Sequence, residues 1–226
     1  GGGGGFGGFT GGTRVDPGEY TVKVAVGKNE QTKKVVVEED PRITISASDR
    51  GARRQALNQL SQMATTGVAA RRSITGLRTS LNTAIENWKK PGAAKPPDNV
   101  QKSAEDLLKR VDETCRKLAT PAQCGDRSQS LGSAGPPLVY VPPAVTQRVT
   151  QLLGGIENYA GAPTQWQLDQ IKVLQPMLTE ANAAARKLAS EDLAALNKMM
   201  SEAGVPYIAA PGRASAVVPP AGEEEP

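Results

Sequence analysis

Apolar positions in this chain recur first at every second residue and then at every third or fourth. Tyr20, Val22, Val24 and Val26 share one side of an extended segment; Thr21, Lys23 and Ala25 share the other. Successive side chains of a strand point to opposite faces, so this spacing predicts a half-buried strand after the turn Asp16-Pro17-Gly18. Gly27-Lys28-Asn29-Glu30 supplies turn residues, and Gln31, Lys33, Val35 and Val37 then alternate with Thr32, Lys34 and Val36. The segment 15–45 reads as a β-hairpin, ended by Asp40-Pro41 because proline removes a ladder donor. Two strands cannot bury a core of their own. The pattern therefore predicts a β-domain whose other strands lie upstream.

From Asp49 the period becomes helical. Leu57, Leu60, Ala64, Val68, Ile74, Leu77, Leu81, Ile85 and Trp88 follow three- and four-residue steps, with a slip near Thr65-Thr66-Gly67 where Gly67 is expected to loosen the helix. This helix should run about 40 residues, some 60 Å at 1.5 Å per residue, until Pro91-Gly92. Asp98 is the expected N-cap of a second helix. It carries Val100, Ala104, Leu107, Val111, Cys115 and Leu118 inward, with Glu105–Lys109 and Asp112–Arg116 as supporting pairs outside. A third helix starts near Pro143, with Val145, Val149, Leu152, Leu153, Ile156 and Tyr159 inward. Its Gly154-Gly155 predicts close helix–helix approach. Thr164 through Gln167 has the form of a capping box. The fourth helix carries Ile171, Leu174, Leu178, Ala181, Ala185, Leu188, Leu196 and Met199, with a kink expected at Pro176 and a stop at Gly204. Four helices with one apolar stripe each predict an antiparallel four-helix bundle over 49–205. The fold class is mainly α, with a short hairpin from an incomplete Ig-like domain. Gly-rich residues 1–14 read as flexible, and 206–226 as a disordered tail.

Composition narrows the chemistry. The 226-residue chain contains no histidine and two cysteines. That removes histidine-based acid–base and triad catalysis and nearly all zinc sites. No cofactor or metal site is expected. Adjacent carboxylates such as Glu38-Glu39-Asp40 do not face each other across a cleft as glycosidase acids must. Residues 1–90 carry net charge +6 and residues 91–226 net −2. This mild polarity lacks the dense basic stripe of a nucleic-acid binder, and no apolar run is long enough to span a membrane.

Three sets of residues remain as candidates. Cys115 and Cys124 are nine positions apart, with Pro121 in the intervening loop and Gly125 just after it. A local disulfide fits, and would belong in an oxidising compartment; two free thiols, with Cys115 in the core, are the alternative. Arg53-Arg54 and Arg71-Arg72 are 18 positions apart, about five helical turns, so they can share a helix face. They read as a solvated face, or as a basic stripe for phosphate or an acidic polysaccharide. Trp88 and Trp166 are expected to close bundle ends, or to stack on sugars.

The run Val15-Asp16-Pro17-Gly18-Glu19-Tyr20-Thr21-Val22-Lys23-Val24, the turn at Gly27 and Asp40-Pro41-Arg42 resemble the end of the FlgD-type Ig-like module of large secreted bacterial proteins. Those proteins carry BNR/sortilin-like β-propellers and are glycosyl-hydrolase-like. The helix initiated at Pro163-Thr164 and the stretch Asp192-Leu193-Ala194-Ala195-Leu196-Asn197 are similar to their extreme C-terminal region. The resemblance covers roughly 13–205. It implies a non-catalytic structural or interaction module, secreted, periplasmic or envelope-associated. Its partners would be upstream β-domains of the same protein, a second copy of the chain, or a cell-surface polysaccharide. Alternatives are a polysaccharide-binding accessory module, or the non-catalytic part of a hydrolase whose active site lies in the propeller.

Overall fold

The computed structural model describes residues 15, 17–42, 44–93, 95–125 and 142–210. The proposed flexible segment 1–14, the stretch 126–141 and the last 16 residues of the chain lie outside them. The chain is mainly helical, with one antiparallel hairpin at its start.

Strands β1 (Gly18–Val26) and β2 (Asn29–Val37) are joined by Gly27-Lys28. The two-residue loop is shorter than the four turn residues predict, so Asn29 and Glu30 join the ladder opposite Val26 and Ala25. Gly27 has φ +61° while Lys28 does not enter the left-handed region. This is the type II′ pattern, whose twist matches that of the strands.

Helix α1 (Ala47–Trp88) is an unbroken 42-residue rod. It starts two residues before Asp49, because the Ser46 hydroxyl accepts the Asp49 N–H at 3.1 Å and caps the first turn. Its buried face runs through Leu60, Met63, Gly67, Ala70, Ile74, Leu77, Leu81, Ile85 and Trp88. These steps of three and four continue across the predicted slip. Ala64 and Val68 are only half-buried, and Gly67 is an ordered point of close approach. A Cβ placed there would sit 2.9 Å from the Thr146 methyl and 3.5 Å from Leu178 Cδ1.

Helix α2 (Asp98–Leu118) begins at Asp98 itself, with Pro97 at the cap position and no side-chain cap. Asp98 acts there through its charge in the first turn. The predicted inward set of α2 is buried throughout, but its outward pairs are rearranged. Asp112 binds Arg78 of α1 at 2.6 Å, Lys109 binds Asp106 at 3.1 Å, and Glu105 accepts from Gln101 at 3.0 Å.

Helix α3 (Val145–Glu157) buries all its predicted core residues except Tyr159, which lies beyond the helix end and is 61% exposed. Gly154 has no neighbour that a Cβ would touch, and Gly155 only the Gln167 amide at 3.9 Å. The close approach predicted for this pair occurs at Gly67 instead.

Helix α4 (Gln165–Lys187) begins with the predicted capping box. The Thr164 hydroxyl accepts the Gln167 N–H at 3.3 Å, and Gln167 Oε1 accepts the Thr164 N–H at 2.8 Å. The helix continues through Pro176. A π-turn at Leu188–Asp192 then leads into α5 (Leu193–Glu202). The π-turn inserts one residue and advances the phase; Leu196 is buried as expected, and Leu193 and Met200 are buried where Met199 was expected.

Cross-helix contacts give the order of packing. Arg53 and Gly67 of α1 meet the end and start of α3, while Arg78 meets α2. Thr146, in the first turn of α3, donates to the Leu118 carbonyl at the end of α2 at 2.6 Å. Helices α2 and α3 therefore lie end to end along α1, and α4–α5 packs against all three. One apolar cluster runs the length of the bundle.

The chain does not leave the bundle at Gly204. The glycine adopts φ +67°, Val205 N–H reaches the Met200 carbonyl at 2.8 Å and Gly204 N–H the Ser201 carbonyl at 3.1 Å, which is a Schellman stop. Residues 205–210 then fold back. Ile208 is buried, and Asn197 clasps it, donating to its carbonyl at 2.9 Å and accepting its N–H at 2.8 Å. The start of the predicted disordered tail is thus part of the helical domain; residues 211–226 lie outside the described set.

Candidate interaction site

The register places Tyr20, Val22, Val24 and Val26 of β1 on the same face as Val35, Lys33, Gln31 and Asn29 of β2. Glu19, Thr21, Lys23 and Ala25 share the opposite face with Val36, Lys34, Thr32 and Glu30. Alternation of strand side chains thus yields one valine-rich face and one polar face, the latter carrying the Lys23–Glu30 ion pair at 2.7 Å. Among the described residues neither strand comes within 8 Å, Cα to Cα, of any helix. Val22, Val24, Val26 and Val35 are accordingly 46%, 57%, 73% and 40% exposed. The ladder has only two strands, so neither outer edge has a partner among the described residues.

The hairpin is tied to the bundle through the segment that follows it. Glu39 grips Arg50 of α1 with two bonds of 2.8 Å, and the same guanidinium reaches the Ile45 carbonyl at 3.5 Å. Asp40 is held by Arg42 through its side chain at 2.6 and 2.9 Å and its N–H at 3.0 Å. These bonds favour the carboxylate and pull the Asp40 pKa below the usual carboxylate range. Of the carboxylates singled out at this junction, Glu39 and Asp40 are therefore fasteners.

The other sequence candidates separate. Cys115 and Cys124 form a disulfide, both buried, with a Cα–Cα distance of 5.9 Å. It folds the turn Ala122–Cys124 back onto the end of α2. Arg53 donates to the carbonyls of Ile156, Glu157 and Tyr159 at 3.3, 3.0 and 2.9 Å. It neutralises the negative end of α3 and binds carbonyls of its last turn and of the residues just beyond. Arg54 and Arg72 are exposed and Arg71 half-buried. The four arginines do not form one stripe, because Arg53 is committed to α3. Trp88 is buried and closes the far end of α1, whereas Trp166 is 66% exposed in the first turn of α4. The two do not make a common stacking platform. Sequence reasoning missed the Arg53 role, since the carbonyls it serves lie about a hundred residues away.

Trp88 and the returning strap flank an open groove of about 650 Å³, lined also by Thr83, Asn87, Lys95 and Tyr207. Among the described residues no group of three or more Cys, Asp or Glu is placed to hold a metal ion, and no helix is long and apolar enough to cross a membrane. No protein family, no curated protein and no solved structure matches this chain.

Proposed function

We propose that the chain is a non-catalytic structural module. Its hairpin docks on a β-domain of the same or a companion protein, and its helical domain braces that assembly. One observation carries the reading: a well-formed ladder presents a valine face that no helix among the described residues covers. Covering four half-exposed valines contributes about 1 kcal/mol each. An isolated two-stranded hairpin in water is marginal at best, so that contribution is of the size needed to hold it. The bidentate Glu39–Arg50 junction gives the helical domain a defined attachment to whatever holds the hairpin. The disulfide supports a secreted, periplasmic or envelope location, where such bonds persist.

The test is hydrogen exchange on two polypeptides, this chain and any longer product of its reading frame. In the chain alone, hairpin amides should exchange quickly while α1 and α2 stay protected. In the longer product, protection should spread to β1 and β2. A reading frame without a preceding β-domain, with hairpin amides unprotected at any concentration, refutes the proposal. Light scattering distinguishes a second copy as the partner.

A further inference from the structure

The two strands are not equivalent, and their difference selects an edge. On the valine face β1 contributes Tyr20, Val22, Val24 and Val26, while β2 contributes Asn29, Gln31 and Lys33 before it reaches Val35. A layer covering this face can desolvate β1 along its whole length. Were β2 an inner strand, Lys33 and two amides would be carried under that layer without partners, which is costly. At the rim, Lys33 can lay its methylenes on Val22 and keep its ammonium in water. Lys34 on the opposite face adds a second charge to the same strand, and lysines on an edge strand are what keeps such an edge from pairing.

We infer that β2 is the closed rim of the sheet and that the open edge of β1 accepts an extended strand from a partner β-domain. The inference rests on the docking reading above and specifies its edge and its occupant. The Val26–Asn29 pair flanks a two-residue turn and is hydrogen-bonded. Ladder alternation then turns the main-chain groups of Glu19, Thr21, Lys23 and Ala25 outward from β1, and those of Glu30, Thr32, Lys34 and Val36 outward from β2. A row of main-chain donors and acceptors is complemented by another extended main chain. The incoming strand must also carry apolar residues at alternate positions, to continue the valine face. The chain's own residues 1–12, nine of them glycine, lack that alternation and pay the glycine entropy in a strand.

A blocked peptide of alternating valine and threonine ended by lysines, titrated into the nitrogen-15-labelled full chain, tests this. Amide shifts are expected at Thr21, Lys23 and Ala25, with Thr32, Lys34 and Val36 unmoved. Thr21→Pro removes an outward donor and no ladder bond, and should weaken peptide binding roughly tenfold; Thr32→Pro should leave it unchanged. Shifts at the β2 amides, or the reverse ranking of the two variants, overturn the choice of edge and leave docking intact. No response at either strand overturns both. Peptide-free dimerisation abolished by Thr21→Pro overturns the assigned occupant in favour of a second copy.

Discussion

Replacing Gly67 by alanine sets helix propensity against packing at one atom. Alanine in a helix interior is favoured over glycine by about 1 kcal/mol. Here the new Cβ would lie 2.9 Å from the Thr146 methyl, and overpacking of this kind costs about 1–3 kcal/mol. Thr146 cannot rotate away cheaply, because its hydroxyl donates to the Leu118 carbonyl at 2.6 Å. Gly67→Ala should therefore destabilise by roughly 1 kcal/mol, lowering Tm by about 2–4 °C for a chain of this size. Thr146→Ser deletes the obstructing methyl and keeps the hydroxyl bond. The remaining neighbours, Leu178 Cδ1 at 3.5 Å and the Cβ of residue 146 at 3.8 Å, are at ordinary contact distance. In the Thr146→Ser background the same alanine should stabilise by about 1 kcal/mol, its propensity gain now unopposed. The four proteins make a double-mutant cycle with a coupling energy of about 2 kcal/mol, measured by urea unfolding followed by far-ultraviolet circular dichroism. An alanine that stabilises both backgrounds alike, or a coupling within about 0.5 kcal/mol of zero, refutes the close approach of α1 and α3.

Arg53→Met keeps the aliphatic stem and removes the bonds to three α3 carbonyls; it should cost about 1–3 kcal/mol in urea unfolding, while Arg72→Met stays within about 0.5 kcal/mol of wild type. Reduction of Cys115–Cys124 opens a loop of sequence separation 9 and should lower stability by about 2–3 kcal/mol on the chain-entropy estimate, with mass spectrometry after alkylation reporting no free thiol before reduction and two after. Asn197→Ala removes both bonds that clasp Ile208 and should release the strap at a cost of about 1–2 kcal/mol, read as a change in Trp88 fluorescence, since Trp88 and Ile208 line the same groove. Asp40 and Asp169 both titrate below the ordinary carboxylate value, through Arg42 and Lys172 respectively. Their contribution to stability is in place above about pH 4 and is lost as pH falls through the lower folded values; carboxyl carbon shifts in an acid titration should show both midpoints depressed, and ordinary midpoints refute the two bonds.

The period of two over Tyr20–Val37 and the three-and-four spacing afterwards were enough to place the hairpin and all four helices. Those signals are local. A strand or a helix face is written by neighbours a few positions apart, and the caps at Thr164 and Gly204 are closed by residues within the same turn. The pairing of Cys115 with Cys124 is likewise a short-range matter of loop closure. The inward stripe differs from the expected one at two places, for different reasons. At Met63–Gly67 the period of three and four runs on through Met63, a residue type that fits the core as well as its neighbours Ala64 and Val68, and at Leu188–Asp192 one inserted residue shifts the phase of the stripe.

The chain by itself determined secondary structure, the amphipathic faces and the absence of histidine chemistry, because each depends on residue type and short spacing. Only the tertiary structure decided that α2 and α3 lie end to end along α1, that Arg53 serves the end of α3, and that Ile208 returns to the core. Only it left the valine face of the hairpin uncovered by the described helices. These are contacts between residues from eleven to more than a hundred positions apart. Their geometry follows from how rods of particular length fill a common core, which no local pattern encodes.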